Sequence, residues 1–379
     1  MRYKALTWDH PRGLNALVAA AENLDEARHG IAIDWEKQPL EGFESHPIGD
    51  LCSRYDIVII DHPHVGEAVE GGCLTPLEDV LPASAIEQVK QNTIGPSFES
   101  YFFSGQHWAL PLDSATQVMA ARIDLLSGNL PKSWQQVLEY GRQHGKLLLS
   151  LAGPHAVLTY FSLCAAQRNL RTDDNASVLF DQSIAVPAIE MLLELARFGA
   201  PQSYEWNPIE ILTAMSETDD FVLCPLVFGY VNYSDPRSAK PVRFFDAPAW
   251  GNGQRPGSTL GGTGIAITRR CKVTPQLIEH LLWLMSENVQ HGLIPSNQGQ
   301  PSRRSAWFDP SVNQFWGGFY RETAKSIESA FIRPRYSGYI SFQTQASQVL
   351  RDELAGGGEP VKILTRLRNL FVQSYRSGQ

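Results

Sequence analysis

The stretch GQHWALPLDSATQVMAARIDLLSGNLPKSW, from Gly105 to Trp134, contains a short apolar run, Trp108 to Leu110, that meets Pro111. Proline cannot donate a ladder hydrogen bond and pushes the residue before it towards an extended conformation. A strand ending at Pro111 is therefore expected, then a polar elbow at Asp113-Ser114. A β-rich run from Thr116 to Ala121 follows. Arg122 and a helical segment Ile123 to Leu126 come next, and Pro131 with Ser133-Trp134 carries a helix-start signal. A strand that passes through a polar elbow into a second strand is one way for a chain to cross between two lobes.

The rest of the chain reads outward from that crossing. At 379 residues, 43% hydrophobic and 19% charged, the chain is too long for one ordinary core and has the composition of a globular protein. A formal net charge of -8 with scattered basic residues argues against a nucleic-acid footprint. No apolar run reaches membrane-spanning length. Tyr3 to Trp8 reads as a strand, and an amphipathic helix is expected from Leu14 to Ala27. A second strand runs from Ile31 to Trp35 into a loop, Gln38 to Glu44. Ile57 to Ile60 is a β-branched run of the kind buried on both faces of a parallel sheet. Strand-helix alternation with short connections argues for an open α/β sheet. Beyond the crossing, a strand is expected over Leu147 to Leu151 and helices over His155 to Arg168, Val186 to Phe198 and Glu210 to Glu217. Strands follow at Phe221 to Leu226 and Val242 to Phe245. The tail from Asp309 onward is helical, with breaks at Pro334 and Gly356-Gly357-Gly358.

Three segments carry a family resemblance. HWALP, RIDLL and PKSW occur here in the order of the "YALP" strand, "R-x-DLL" segment and "P-x-TW" helix start of ABC-importer solute-binding proteins, the branch with many sugar binders. Gly71 to Leu77 resembles that family's "G-x-L-x-PL" turn. Ser258-Thr259-Leu260-Gly261-Gly262-Thr263-Gly264 leading into Ile265-Ala266-Ile267 resembles its strand back into the first lobe. The resemblance implies an α/β, type II periplasmic-binding-protein fold with two α/β lobes, a multi-strand hinge and a helical C-terminal segment. The expected division is 1–111 plus 247–300 for the first lobe, and 112–246 plus 301–379 for the second. It further implies a small-molecule ligand clamped between lobes by hinge closure, ABC permease subunits as partners, a monomer and a periplasmic location. The chain begins MRYKALTWDH and enters a strand without a leader-like stretch, so the location rests on the resemblance. No cofactor is expected, nor membrane insertion.

Candidate ligand groups lie where open sheets place ligands, beyond the carboxyl ends of strands. Trp8-Asp9-His10 and Asp61-His62 fall there. Asp61, His62 and His64 also invite a metal reading, with His10 as the further ligand, but no H-E-x-x-H helix or cysteine pair supports it. A polar rim lining a ligand cleft is the reading preferred, and the plainer alternative is that Asp61 and His62 cap the following helix. Sugars present C–H faces to aromatic rings and hydroxyls to carboxylates and amides. Trp8, Tyr230 and Trp250 are the candidate stacking rings, and Asp9, Asp61, Asp113, Gln117 and Asn232 the candidate hydroxyl partners. Substitution of Asp61 or Asp113 is expected to weaken binding with little effect on stability. Gly262 is expected in a turn whose backbone N–H groups face ligand. Arg303 and Arg12 are candidate bidentate partners for an anionic group. No G-x-S-x-G elbow or other nucleophile motif is present, and no carboxylate spacing nominates a glycosidase pair. An enzyme or a ligand sensor on the same scaffold is the alternative reading. The five cysteines show no C-x-x-C spacing, and Cys164 and Cys224 lie in apolar runs as expected for buried thiols.

Overall fold

The run Ile57-Val58-Ile59-Ile60 forms a strand with every residue buried, and it organises the first half of the structure. The computed structural model describes residues 1–24, 29–145, 147–170, 179–251, 253 and 255–377. The chain divides into two compact units. The first comprises Met1–Ala115, Gly261–Gln314 and Arg335–Ser337, and the second Thr116–Leu260, Phe315–Pro334 and Gly338–Gln379.

In the first unit, β1 (Arg2–Trp8) pairs in parallel with β2 (Ala32–Gln38), from Arg2 opposite Ala32 to Trp8 opposite Gln38. It also pairs in parallel with β3 (Ile57–Ile60) on its other side. The helix Pro11–Glu22 follows β1, with proline in its first turn and the His10 side chain as cap, both ordinary helix-start devices. It stops at Glu22, short of the expected end, and Ala27 lies outside the described residues. Part of the expected loop Gln38 to Glu44 is instead a short helix, Leu40–Ser45, which buries Phe43. A small hairpin joins β4 (Phe102–Phe103) to β5 (Gln106–His107).

The strand expected to end at Pro111 continues. β6 runs unbroken from Leu110 to Ala121, with all its residues buried, and passes from the first unit to the second after Ala115. Pro111 costs little there because the polar backbone beyond it finds other partners. The Ser114 N–H donates to the Gln300 carbonyl at 3.0 Å and the Gln117 N–H to the Thr259 carbonyl at 3.3 Å. In the second unit β6 pairs antiparallel with β7 (Leu223–Phe228) and β8 (Arg243–Phe245). β9 (Leu260–Ile267) pairs antiparallel with β3 in the first unit, Ile57 opposite Ile267 and Ile60 opposite Gly264.

Two local expectations fail. Ile123 to Leu126 is a turn, because the Arg122 guanidinium binds Asp124 at 2.9 and 2.6 Å and holds the chain back on itself. Arg122 also donates to the Met215 and Thr218 carbonyls at 3.0 and 2.9 Å, closing the end of the helix Pro208–Glu217. Leu147 to Leu151 makes a single bridge, Leu147 with Gly199, and no strand. The unit boundaries also differ from the expected division. Residues 112–115, 301–314 and 335–337 group with the first unit, where Asp113 bridges Pro301, and 247–260 with the second, where Ala249 exchanges backbone hydrogen bonds with Lys132 and Trp134.

The helix Trp134–His144 starts where Ser133 predicts, with the Ser133 hydroxyl accepting from the Gln136 N–H at 3.3 Å. The tail forms two long helices, Tyr339–Gly356 and Pro360–Ser377. Phe180, Phe342 and Phe371 meet in a ring cluster in the second unit, with centroids 5.3 to 6.1 Å apart. Among the described residues, no helix is long and apolar enough to cross a membrane.

Candidate functional site

Five of the sequence-nominated residues converge in the first unit, around the start of the helix Pro11–Glu22. The Trp8 indole stacks on the His10 imidazole with centroids 5.1 Å apart and planes within 6°. The Arg12 guanidinium lies 5.7 Å from the Trp8 ring centre, within cation–π range. Arg12 then binds Asp113 in a bidentate pair: its Nε donates to Oδ2 at 2.9 Å, and its Nη2 to Oδ1. Gly262 completes the group. Its φ is +92°, and a Cβ there would lie 2.3 Å from the Asp113 carbonyl oxygen, so only glycine fits.

Arg12 and Asp113 line a small cavity of about 20 Å³ with Thr263, Leu112, Gln300 and others, room for little more than a water molecule. Its electrostatics are settled within the protein. Arg12 and Asp113 are 6% exposed each, and the Asp113 carboxylate also accepts the Gln300 N–H at 3.3 Å. Asp113 is therefore not the open hydroxyl acceptor the sequence reading made it, and Arg12 is bidentate to Asp113, not to an anionic ligand. Removing one member of a buried pair strands the other charge. The expectation that Asp113 could be substituted without loss of stability is corrected accordingly. His10 is neutral, its Nδ1 accepting the Arg12 N–H at 3.1 Å. Burial, helped by the Arg12 charge, pushes its pKa down to about 3.

The remaining nominees of the first unit are more dispersed. Asp9 is exposed and pairs with Lys37 at 2.9 Å. Asp61 accepts the His62 N–H at 2.8 Å and caps the single turn His62–His64, the capping role anticipated as the plainer reading. His62 is wholly buried, edge-on to Tyr101. The glycines read as a turn at Gly261 to Gly264 lie inside β9. Arg303 lies 3.6 Å from Glu287 and lines a small hollow with Thr93 and Met285.

In the second unit, Gln117 is spent on packing. It is fully buried, its Nε2 donating to Thr159 Oγ1 at 3.3 Å and its Oε1 accepting from Ser162 Oγ at 2.6 Å. Thr116, Ser258 and Thr259 extend the same network. The sequence reading missed these hydroxyls, since serine and threonine carry no distinctive spacing. Tyr230 is buried, edge-on to Tyr233 at 6.5 Å. Asn232 differs from all of these. Among the described residues its Oδ1 is a buried acceptor with no hydrogen-bond partner, an arrangement that costs about 1–3 kcal/mol unless something fills it. Trp250 is half-buried, next to Gly251.

Against known proteins, no family model matches the sequence, and no curated protein matches it. Solved structures do match, along nearly the whole length. Maltose-bound MalE3 of T. maritima superposes with a TM-score of 0.80 at 16% identity, covering 98% of this chain and 99% of that one. An ABC transporter solute-binding protein from Agrobacterium radiobacter K84, in complex with ribitol, gives 0.78 at 20% identity, with 99% and 98% covered. One from Thermotoga lettingae TMO, bound with α-D-tagatose, gives 0.78 at 16% identity, with 97% and 98% covered. The chain has the mixed α/β, type II periplasmic-binding-protein fold of these proteins.

Proposed function

We propose that this chain is the substrate-binding component of an ABC importer and that it captures a small sugar or polyol. The full-length likeness to solute-binding proteins solved with maltose, ribitol and α-D-tagatose supports this reading most strongly. Fold alone does not fix function, so the site must carry the finer part. Asn232 offers a desolvated acceptor suited to a hydroxyl, and Tyr230 and Trp250 are the candidate rings in the same unit. Trp8 and His10 stack on each other in the first unit and are both buried, so neither ring presents an open face to a sugar. The neutral state of His10 and the internal pairing of Arg12 with Asp113 favour an uncharged ligand over a sugar acid. Closure on the ligand belongs to the same proposal, since a solute favours whichever arrangement of the units it contacts better. A permease partner, a periplasmic location and the absence of catalysis are parts of it too.

A thermal-shift screen of the full chain over maltose, tagatose, ribitol and mannitol tests this, with a sugar acid and a betaine as contrasts. A ligand at saturation raises the unfolding temperature by mass action. The proposal requires a shift from at least one neutral sugar or polyol, with that compound recovered unchanged. Conversion of it into product would favour an enzyme on this scaffold.

A further inference from the structure

Three chemistry-bearing side chains meet in the first unit, none of them nominated for the ligand. His291 stands in a π-helical turn, Val289–Leu293, a rare element that recurs at functional sites. Ser305 is exposed on the short helix Arg304–Phe308, and Asp309 closes that helix. The Ser305 hydroxyl oxygen lies 2.8 Å from His291 Nε2, and Asp309 Oδ2 lies 3.5 Å from Nδ1 on the other side of the ring. The Asp309 carboxylate is anchored through its other oxygen, which accepts the Ser311 N–H at 2.8 Å and the Val312 N–H at 3.0 Å. Asn313 Nδ2 donates to the Trp307 and Asp309 carbonyls at 2.8 and 2.9 Å and fixes the backbone there. Oδ2 is thereby held towards the imidazole. Hydrogen bonds from the Ser311 hydroxyl and the Val312 N–H bring the Asp309 pKa down to about 2, so the group is a carboxylate at neutral pH. A negative charge beside Nδ1 favours the proton there, which leaves Nε2 as the acceptor for the Ser305 hydroxyl. Spacing announces none of this, because the serine and the histidine stand 14 positions apart and neither lies in a nucleophile motif.

We infer that Ser305 is a nucleophile, with His291 as its base and Asp309 as a positioning residue, that takes an acyl group from activated esters. The arrangement is a serine–histidine–carboxylate relay: a hydroxyl within hydrogen-bond reach of a base that a third group orients. Ser305 is exposed and His291 half-buried, so a small acyl donor reaches both. With p-nitrophenyl acetate, Ser305 Oγ attacks the carbonyl carbon while its proton passes to His291 Nε2. The bond to the p-nitrophenyl oxygen breaks, and p-nitrophenolate leaves with the electron pair. The imidazolium then releases its proton to solvent. One acetyl ester forms on the protein, and one p-nitrophenolate and one proton are released. The reaction stops at that ester, because the serine oxygen is a far poorer leaving group than p-nitrophenolate. Ser305 is thus a site of stoichiometric acylation, separate from solute capture and compatible with a binder that leaves its ligand unchanged.

The test treats the full chain with p-nitrophenyl acetate at neutral pH and locates the acetyl group over time by peptide mapping. Ser311 is the internal comparison, since it is also exposed but its hydroxyl donates to a carboxylate oxygen of Asp309 rather than to a histidine. Ser305 should acetylate roughly a hundredfold faster than Ser311, the weight of a positioned general base. That comparison needs no variant to fold. His291→Gln should remove the advantage. Asp309→Asn keeps an oxygen for Ser311 and Val312 but turns an amide N–H towards Nδ1, which moves the ring proton to Nε2, and labelling of Ser305 should fall with it. The inference is overturned if Ser305 stays unlabelled, if it acetylates no faster than Ser311, or if His291→Gln is labelled as fast as the wild-type chain. An unchanged rate in Asp309→Asn would overturn the positioning role. None of these readouts depends on the proposed ligand.

Discussion

Replacing Asp113 with alanine leaves the Arg12 guanidinium buried without its carboxylate, which is expected to cost about 3–5 kcal/mol. Denaturant unfolding measures that loss, and replacing both residues by apolar ones should recover part of it. Asn232→Ala should behave in the opposite way. Because Oδ1 has no partner among the described residues, stability should change little while sugar or polyol affinity falls roughly tenfold, the weight of one hydrogen bond to a desolvated group. Equal affinity in calorimetric titration of both proteins would remove Asn232 from the site. The contrast shows how far residue chemistry can be read from one sequence. Asp113 and Asn232 look alike there, as polar residues at the ends of apolar runs. Only the fold brings Arg12 to Asp113 across 101 positions, and only it leaves Asn232 unclaimed.

Among the elements, those with a strong local signal were legible. The β-branched run of β3 and the Ser133 cap each announce themselves within a few residues. Elements set by a distant partner were not. Pro111 reads as a stop, yet β6 continues through it, and the RIDLL segment looks helical until Arg122 reaches Asp124 and the end of another helix. Arg122→Ala is expected to cost about 2 kcal/mol or more, since the Met215 and Thr218 carbonyls lose a charged donor. Hydrogen exchange should show the loss concentrated at the end of Pro208–Glu217. Gly66 makes a similar point. A Cβ there would fall 1.6 Å from the Arg335 carbonyl oxygen, so Gly66→Ala must displace the segment Arg335–Ser337 and lower the unfolding temperature.

For the whole molecule, three of the buried histidines weaken the fold in acid. Burial holds His10 and His155 at about 3 and His280 at about 4, against 6.5 for an unburied imidazole. Between those values the unfolded chain binds protons that the folded chain does not. Their contribution is therefore complete above about pH 6.5 and is lost as the pH falls towards 4, by up to about 1.4 kcal/mol per pH unit for each histidine. Urea midpoints at pH 7 and pH 5 should show this loss, and His280→Gln should reduce it. The central claim, that this fold serves to capture a neutral sugar or polyol, is tested most directly by calorimetric titration of the full chain with maltose, tagatose, ribitol and mannitol. The account predicts saturable, one-to-one binding of at least one of them with no turnover. No binding to any of the four, or heat that continues as the compound is consumed, would contradict it.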